Sequence, residues 1–144
     1  MNNTIIPYRS SEADHQQINV PFDFSVFFTR RVFDVDNCVL RRLLAPQNQT
    51  NPIPKVCAWF DEGLLEAQPD LTAQIMDYFH QYLPEYHLDQ PAVYPGGEEV
   101  KDGWKYVNHM LSDLQHKRLC RHSYVLTIGG GAFLDASGLA AALF

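Results

Sequence analysis

At 144 residues, 46% hydrophobic and 19% charged, the chain is long enough to bury a core and too apolar to stay disordered. Its formal net charge of −6, with no basic cluster beyond Arg30-Arg31 and Arg41-Arg42, argues against nucleic-acid or anionic-membrane surfaces as partners. No run approaches the roughly 20 apolar residues of a membrane helix. Residues 1–11 lack a secretory pattern, and Cys38, Cys57 and Cys120 have neither disulfide nor zinc spacing, so a cytoplasmic protein is expected.

Residues 1–20 are polar and aperiodic and read as an irregular lead-in to a domain spanning 21–144. Phe22, Phe24, Val26 and Phe28 alternate with polar neighbours, which predicts a half-buried strand. A short helix is expected over Asn37–Leu44, capped by Asp36 or Asn37, with Val39, Leu40, Leu43 and Leu44 as its apolar side. Residues 45–54, rich in Asn, Gln and Pro, read as a loop.

A repeating pattern follows. Val56–Phe60 is a short apolar strand ending in Asp61. Pro69 and Asp70 open a helix carrying Leu71, Ile75, Phe79 and Tyr82 at helical spacing. Ala92–Tyr94 is a further strand, closed by Pro95-Gly96-Gly97. Val100, Trp104, Val107, Leu111 and Leu114 mark a second helix, with Trp104 and Trp59 assigned to the core. Tyr124–Ile128 is the last strand; three glycines and a helix from about Phe133 follow it. Strands alternating with helices predict an α/β fold with a parallel sheet. Such sheets bind ligands beyond the carboxyl ends of their strands, so Asp61, the Pro95–Lys101 turn and Gly129–Gly131 are expected to line one crevice.

Each of these carries a chemical reading beside a plainer one. Gly129, Gly130 and Gly131 are costly to order. Between a strand and a helix they fit a pyrophosphate cradle of backbone N–H groups, or a tight turn with no ligand. They do not form the G-x-G-x-x-G fingerprint, because Leu134 occupies its third glycine position. Asp135 reads as a helix-start acid, and Gly138 as a place for close helix packing. Glu98 and Lys101, three apart, share a helix face, where they can meet a ribose, an amide or a phosphate, or form only a solvated ion pair. Asp61 can accept hydrogen bonds from ribose hydroxyls or serve as a cap. The six histidines show no metal-binding spacing.

In combination, the strand ending in Asp61, then P-G-G-E-E-V-K, then R-H-S-Y-V-L-T-I-G-G-G-A-F-L-D-A-S-G-L-A-A, resemble the N-terminal half of the 3-dehydroquinate synthases and, more broadly, the sugar phosphate cyclases. The lead-in F-F-T-R-R-V-F-D-V-D-N-C-V-L is closer to the divergent, valiolone-synthase-like cyclases. The resemblance implies a Rossmann-like α/β layer domain that binds NAD. Asp61 matches the acid at the nucleoside part of the cofactor, and Glu98 and Lys101 match the motif residues along it. Gly129, Gly130 and Gly131 match the pyrophosphate glycines, and Asp135 the acid near the nicotinamide side. Iron-type alcohol dehydrogenases share the glycine turn but place a lysine where this chain has Gly138.

The implied reaction is a cycle on a sugar phosphate: oxidation by bound NAD, phosphate elimination, re-reduction and ring closure, assisted by a divalent metal, usually zinc. The metal and substrate residues of the relatives belong to a helical second domain with no counterpart up to Phe144. The chain is therefore expected to be an incomplete, catalytically inactive cofactor half. An iron-type dehydrogenase relative and a non-catalytic nucleotide-binding remnant are the alternatives. The resemblance also implies a homodimer.

Overall fold

The computed structural model describes residues 24–44 and 53–144. The expectations for residues 1–20 and for most of the 45–54 loop fall outside these residues.

The sheet is organised around β1, Lys55–Asp61, whose last six residues are all buried. Three short strands pair with it, all parallel: β2 (His87–Leu88), β3 (Ala92–Tyr94) and β4 (Tyr124–Ile128). β4 runs along residues 56–60 of β1, so β2 and β3 share its opposite edge. They are two pieces of one interrupted edge strand. Val56 pairs with Leu88 and Trp59 with Ala92, so four steps on the edge face three on β1. Pro91, which has no N–H to give to a ladder, lies in the break.

A parallel strand covered on both faces needs apolar residues on both. Alternation along β1 sends Val56, Ala58 and Phe60 into one core and Cys57 and Trp59 into another. The first core is covered by α1 (Val39–Leu44) and α3 (Leu71–Tyr82) through Leu40, Leu44, Leu71, Ile75 and Phe79. The second is covered by α4 (Lys105–His116) and α5 (Gly131–Leu143) through Val107, Met110, Leu114, Phe133 and Ala140. The expected α/β layer architecture with a parallel sheet is thus present, in Rossmann-like form.

Two elements were not foreseen. One is β2. The other is α2, Glu62–Ala67, for which Asp61 is the N-cap: its Oδ1 accepts from the Gly63 N–H at 2.9 Å. The acid followed by Glu62 is a recognisable helix start. α1 begins at Val39, whose N–H donates to Asn37 Oδ1 at 3.0 Å, so Asn37 is the cap. Leu43, expected on its apolar side, is exposed.

Three other expectations fail. Residues 24–28 form no strand, and Phe24 and Phe28 are 86% and 98% exposed. Alternation names the face a strand would bury, but a strand also needs a partner edge, and none lies beside these residues among those described. The chain instead turns at Arg31 (φ 51°), packs Val32 and Phe33 on the first core, and is pinned by Asn37 Nδ2 donating to Thr29 Oγ1 and Arg30 O. Trp104 is 60% exposed. The predicted helical stripe is cut by Gly103 (φ 59°) into a 3-10 turn, Gly97–Lys101, and α4, and the break rotates Trp104 out of phase with Val100 and Val107. Gly138 is exposed, and a Cβ built there meets no atom within 4 Å, so close packing is not its role.

Candidate functional site

The carboxyl ends of β1, β3 and β4 bring the three sequence features together, and Asp61 is where they meet. The residue is 9% exposed. Oδ1 caps α2, and Oδ2 accepts the Gly130 N–H at 3.3 Å. A carboxylate with about four acceptor positions keeps roughly two for other donors.

The fit around Asp61 explains two glycines. A Cβ on Gly96 would lie 2.2 Å from Asp61 Oδ1, and one on Gly129 would lie 2.6 Å from both Asp61 Cβ and Phe133 Cδ1. The close approach that demands glycine at these positions is therefore to Asp61 itself. Gly96, in a turn where sequence reasoning saw only turn chemistry, belongs to the site for this reason.

Gly130 and Gly131 differ. Both are exposed; a Cβ on Gly130 reaches only ordinary contact, 3.7 Å from Asp61 Oδ2, and one on Gly131 meets nothing. They sit at the start of α5, which has no side-chain cap. Its first intrahelical bond is Leu134 N–H to Gly130 O at 3.0 Å. The N–H groups of residues 131–133 precede that bond and are the orphan donors every helix start presents. An open, glycine-lined helix start fits a phosphate, which needs close backbone approach and N–H donors.

Lys101 and Asp135 stand at the rim. Lys101 Nζ lies 2.9 Å from Asp135 Oδ2, joining the 3-10 turn to α5, with side-chain exposures of 42% and 70%. The hydrogen bond and charge of Asp135, followed by the charge of Glu98, hold the Lys101 ammonium above its ordinary pKa. Glu98 is exposed at the start of the same 3-10 turn, where residues three apart eclipse, so it shares a face with Lys101. Lys101's salt bridge, however, is made with Asp135. The neighbouring Glu99, unremarked in the sequence, accepts from Tyr106 Oη at 2.8 Å and fastens the turn to α4.

Two clefts lie away from this junction. One of about 630 Å³ is lined by Leu114, Cys120, Arg121, Tyr124 and Phe144, at the opposite end of β4. Another of about 470 Å³ lies beside Ile128, between α2, α3 and residues 31–34. Neither contains any of the sequence-predicted site residues. Among the described residues no three His, Cys, Asp or Glu side chains gather to hold a metal ion, so nothing here fits the divalent metal of the implied reaction. Nor is any described helix long and apolar enough to cross a membrane.

Fold and junction define a Rossmann-like α/β protein whose strand ends converge on a glycine-lined helix start. Residues 91–144 match the family model described as 3-dehydroquinate synthase N-terminal, so this segment is similar to that family. The matched segment carries Glu98, Lys101, Gly129–Gly131 and Asp135 and leaves out Asp61. No curated protein matches the chain.

Proposed function

We propose that this chain is the NAD-binding part of a 3-dehydroquinate synthase-like sugar phosphate cyclase. The observation that carries the reading is the meeting of Asp61 with the open start of α5, beside the Lys101–Asp135 pair. The family match over residues 91–144 supports the same reading. In it, the N–H groups of residues 131–133 at the open start of α5 hold the diphosphate, which approaches over the exposed Gly130, with the positive end of the helix dipole behind them. Asp61 uses its remaining acceptor positions for ribose hydroxyls, while Glu98, Lys101 and Asp135 line the path toward the nicotinamide. Bound NAD supplies reversible hydride transfer; the chain's own residues bind and orient it. The purified chain is expected to bind NAD and not to cyclise a heptulose phosphate.

Calorimetric titration of NAD into the wild type and Gly130→Val tests the reading. Position 130 has φ −77° and ψ 169°, which valine adopts readily, and its Cβ makes only ordinary contact. The substitution should therefore spare the fold while blocking the approach of a phosphate, with a loss of at least about tenfold in affinity, roughly 1.4 kcal/mol. Equal binding by both proteins would rule out the turn as the cradle, and cyclisation by the purified chain would rule out a purely cofactor-binding role.

A further inference from the structure

We propose that Lys101 and Asp135 form a clasp at the rim of the crevice, opened when the diphosphate of an entering nucleotide draws Lys101 away from Asp135. The proposal rests on the cofactor reading above and adds how the site responds to its ligand.

Three observations carry it. The pair spans two separate elements, the 3-10 turn after β3 and the second turn of α5, at 2.9 Å. Both side chains are substantially exposed, and an exposed ion pair shifts an equilibrium by no more than about fivefold. The two elements are also held together without it, because Val100 from the turn and Phe133 from α5 are both fully buried in the same core. Opening the clasp is therefore cheap and does not loosen the scaffold.

Electrostatics gives the opening its direction. Asp61 Oδ2 already lies at the Gly130 N–H, so an incoming diphosphate meets a carboxylate at the helix start. With Lys101 neutralised by Asp135, that repulsion is not offset. Asp135 lies four residues beyond Gly131, about 6 Å along the helix at ~1.5 Å per residue. A lysine's flexible four-carbon stem covers such a distance by changing rotamer. Lys101 can thus exchange one anionic partner for another.

ADP is the suitable probe, because it carries the diphosphate and lacks the nicotinamide end, where a direct contact to Asp135 would mask the effect. Calorimetric titration with ADP is made on the wild type, Asp135→Asn, Lys101→Met and the double variant, with thermal melts confirming that all are folded. Releasing Lys101 in Asp135→Asn should tighten ADP by about two- to fivefold. Lys101→Met should weaken it, and the gain from Asp135→Asn should vanish in the Lys101→Met background. ADP binding that is unchanged or weaker in Asp135→Asn, or a gain that persists without Lys101, overturns the clasp and leaves the cofactor reading standing. Failure of every protein to bind either ADP or NAD overturns both.

Discussion

Two aspartates serve β1 in opposite ways. Asp113, on α4, is met by side chains: Trp59 Nε1 and Lys117 Nζ each donate to its Oδ2 at 2.8 Å, and the Cys57 thiol lies 3.5 Å away. Lys55 Nζ closes the group by donating to Lys117 O at 2.7 Å. Asp61, about 13 Å further along the strand than Cys57 at ~3.3 Å per residue, is met by backbone N–H groups of two turns. The first carboxylate shares a neutralising lysine and ties a helix to the sheet. The second is wedged among glycines beside an exposed helix start. A buried polar group held by side chains is a fastening; one held by open turns retains the capacity to meet a ligand.

The comparison can be broken most forcefully at Gly129. Gly129→Ala places a Cβ 2.6 Å from Asp61 Cβ and Phe133 Cδ1, neither the far end of a flexible side chain. It should destabilise by about 2–3 kcal/mol in urea denaturation. Gly131→Ala, with open space around it at a helix start, should be neutral or slightly stabilising. Equal effects at the two positions would remove Asp61 as the reason for the first glycine.

Asp113→Ala should cost somewhat less, about 1–3 kcal/mol, because it strands the indole N–H and leaves Lys117 unpaired. Its signature is a loss of stability with cofactor affinity retained, whereas substitution of Asp61 should lower both. A fall in NAD affinity with Asp113→Ala would erase the distinction drawn above.

The smallest effect near neutral pH is a pH dependence to which Cys57, in the Asp113 group, contributes beside the buried tyrosines Tyr78, Tyr86 and Tyr94. Burial, opposed by the charge of Lys117, pushes the Cys57 thiol from 9.0 up to about 12. Because the folded-state value is the higher, the unfolded chain releases this proton first. The stability contribution is intact below about pH 9 and is lost as pH rises toward about 12. Denaturation midpoints should therefore decline above pH 9, and less steeply in Cys57→Ala. An identical decline in that variant would assign the loss to other groups.

The element order was legible wherever a local pattern had a local cause. β1, α3, β3 and β4 announce themselves as apolar runs or helical stripes, and the cap of α1 as Asp36 or Asn37, between which the structure selects Asn37. The same reading failed for residues 24–28 and for Trp104, where the pattern was correct but its outcome depended on a partner edge or on the phase left by Gly103. α2 was not foreseen although Asp61 was legible as a cap, because the six residues Glu62–Ala67 are too few to show a helical apolar period.

For the site, composition and spacing marked Asp61, the Pro95–Lys101 turn and the triple glycine as three features at strand ends, because such runs and turns are written in consecutive residues. The rule that parallel sheets bind ligands beyond their carboxyl ends already gathered them in one crevice; the tertiary structure supplied the contacts between them. Parallel pairing of β3 and β4 on opposite edges of β1 delivers both turns to the end of the central strand, where Asp61 fills the space that Gly96 and Gly129 leave vacant. It also gave Lys101 its partner in Asp135 rather than Glu98. These are contacts between segments far apart in the chain, and they depend on the packing of α5 against the 3-10 turn, which no local pattern encodes.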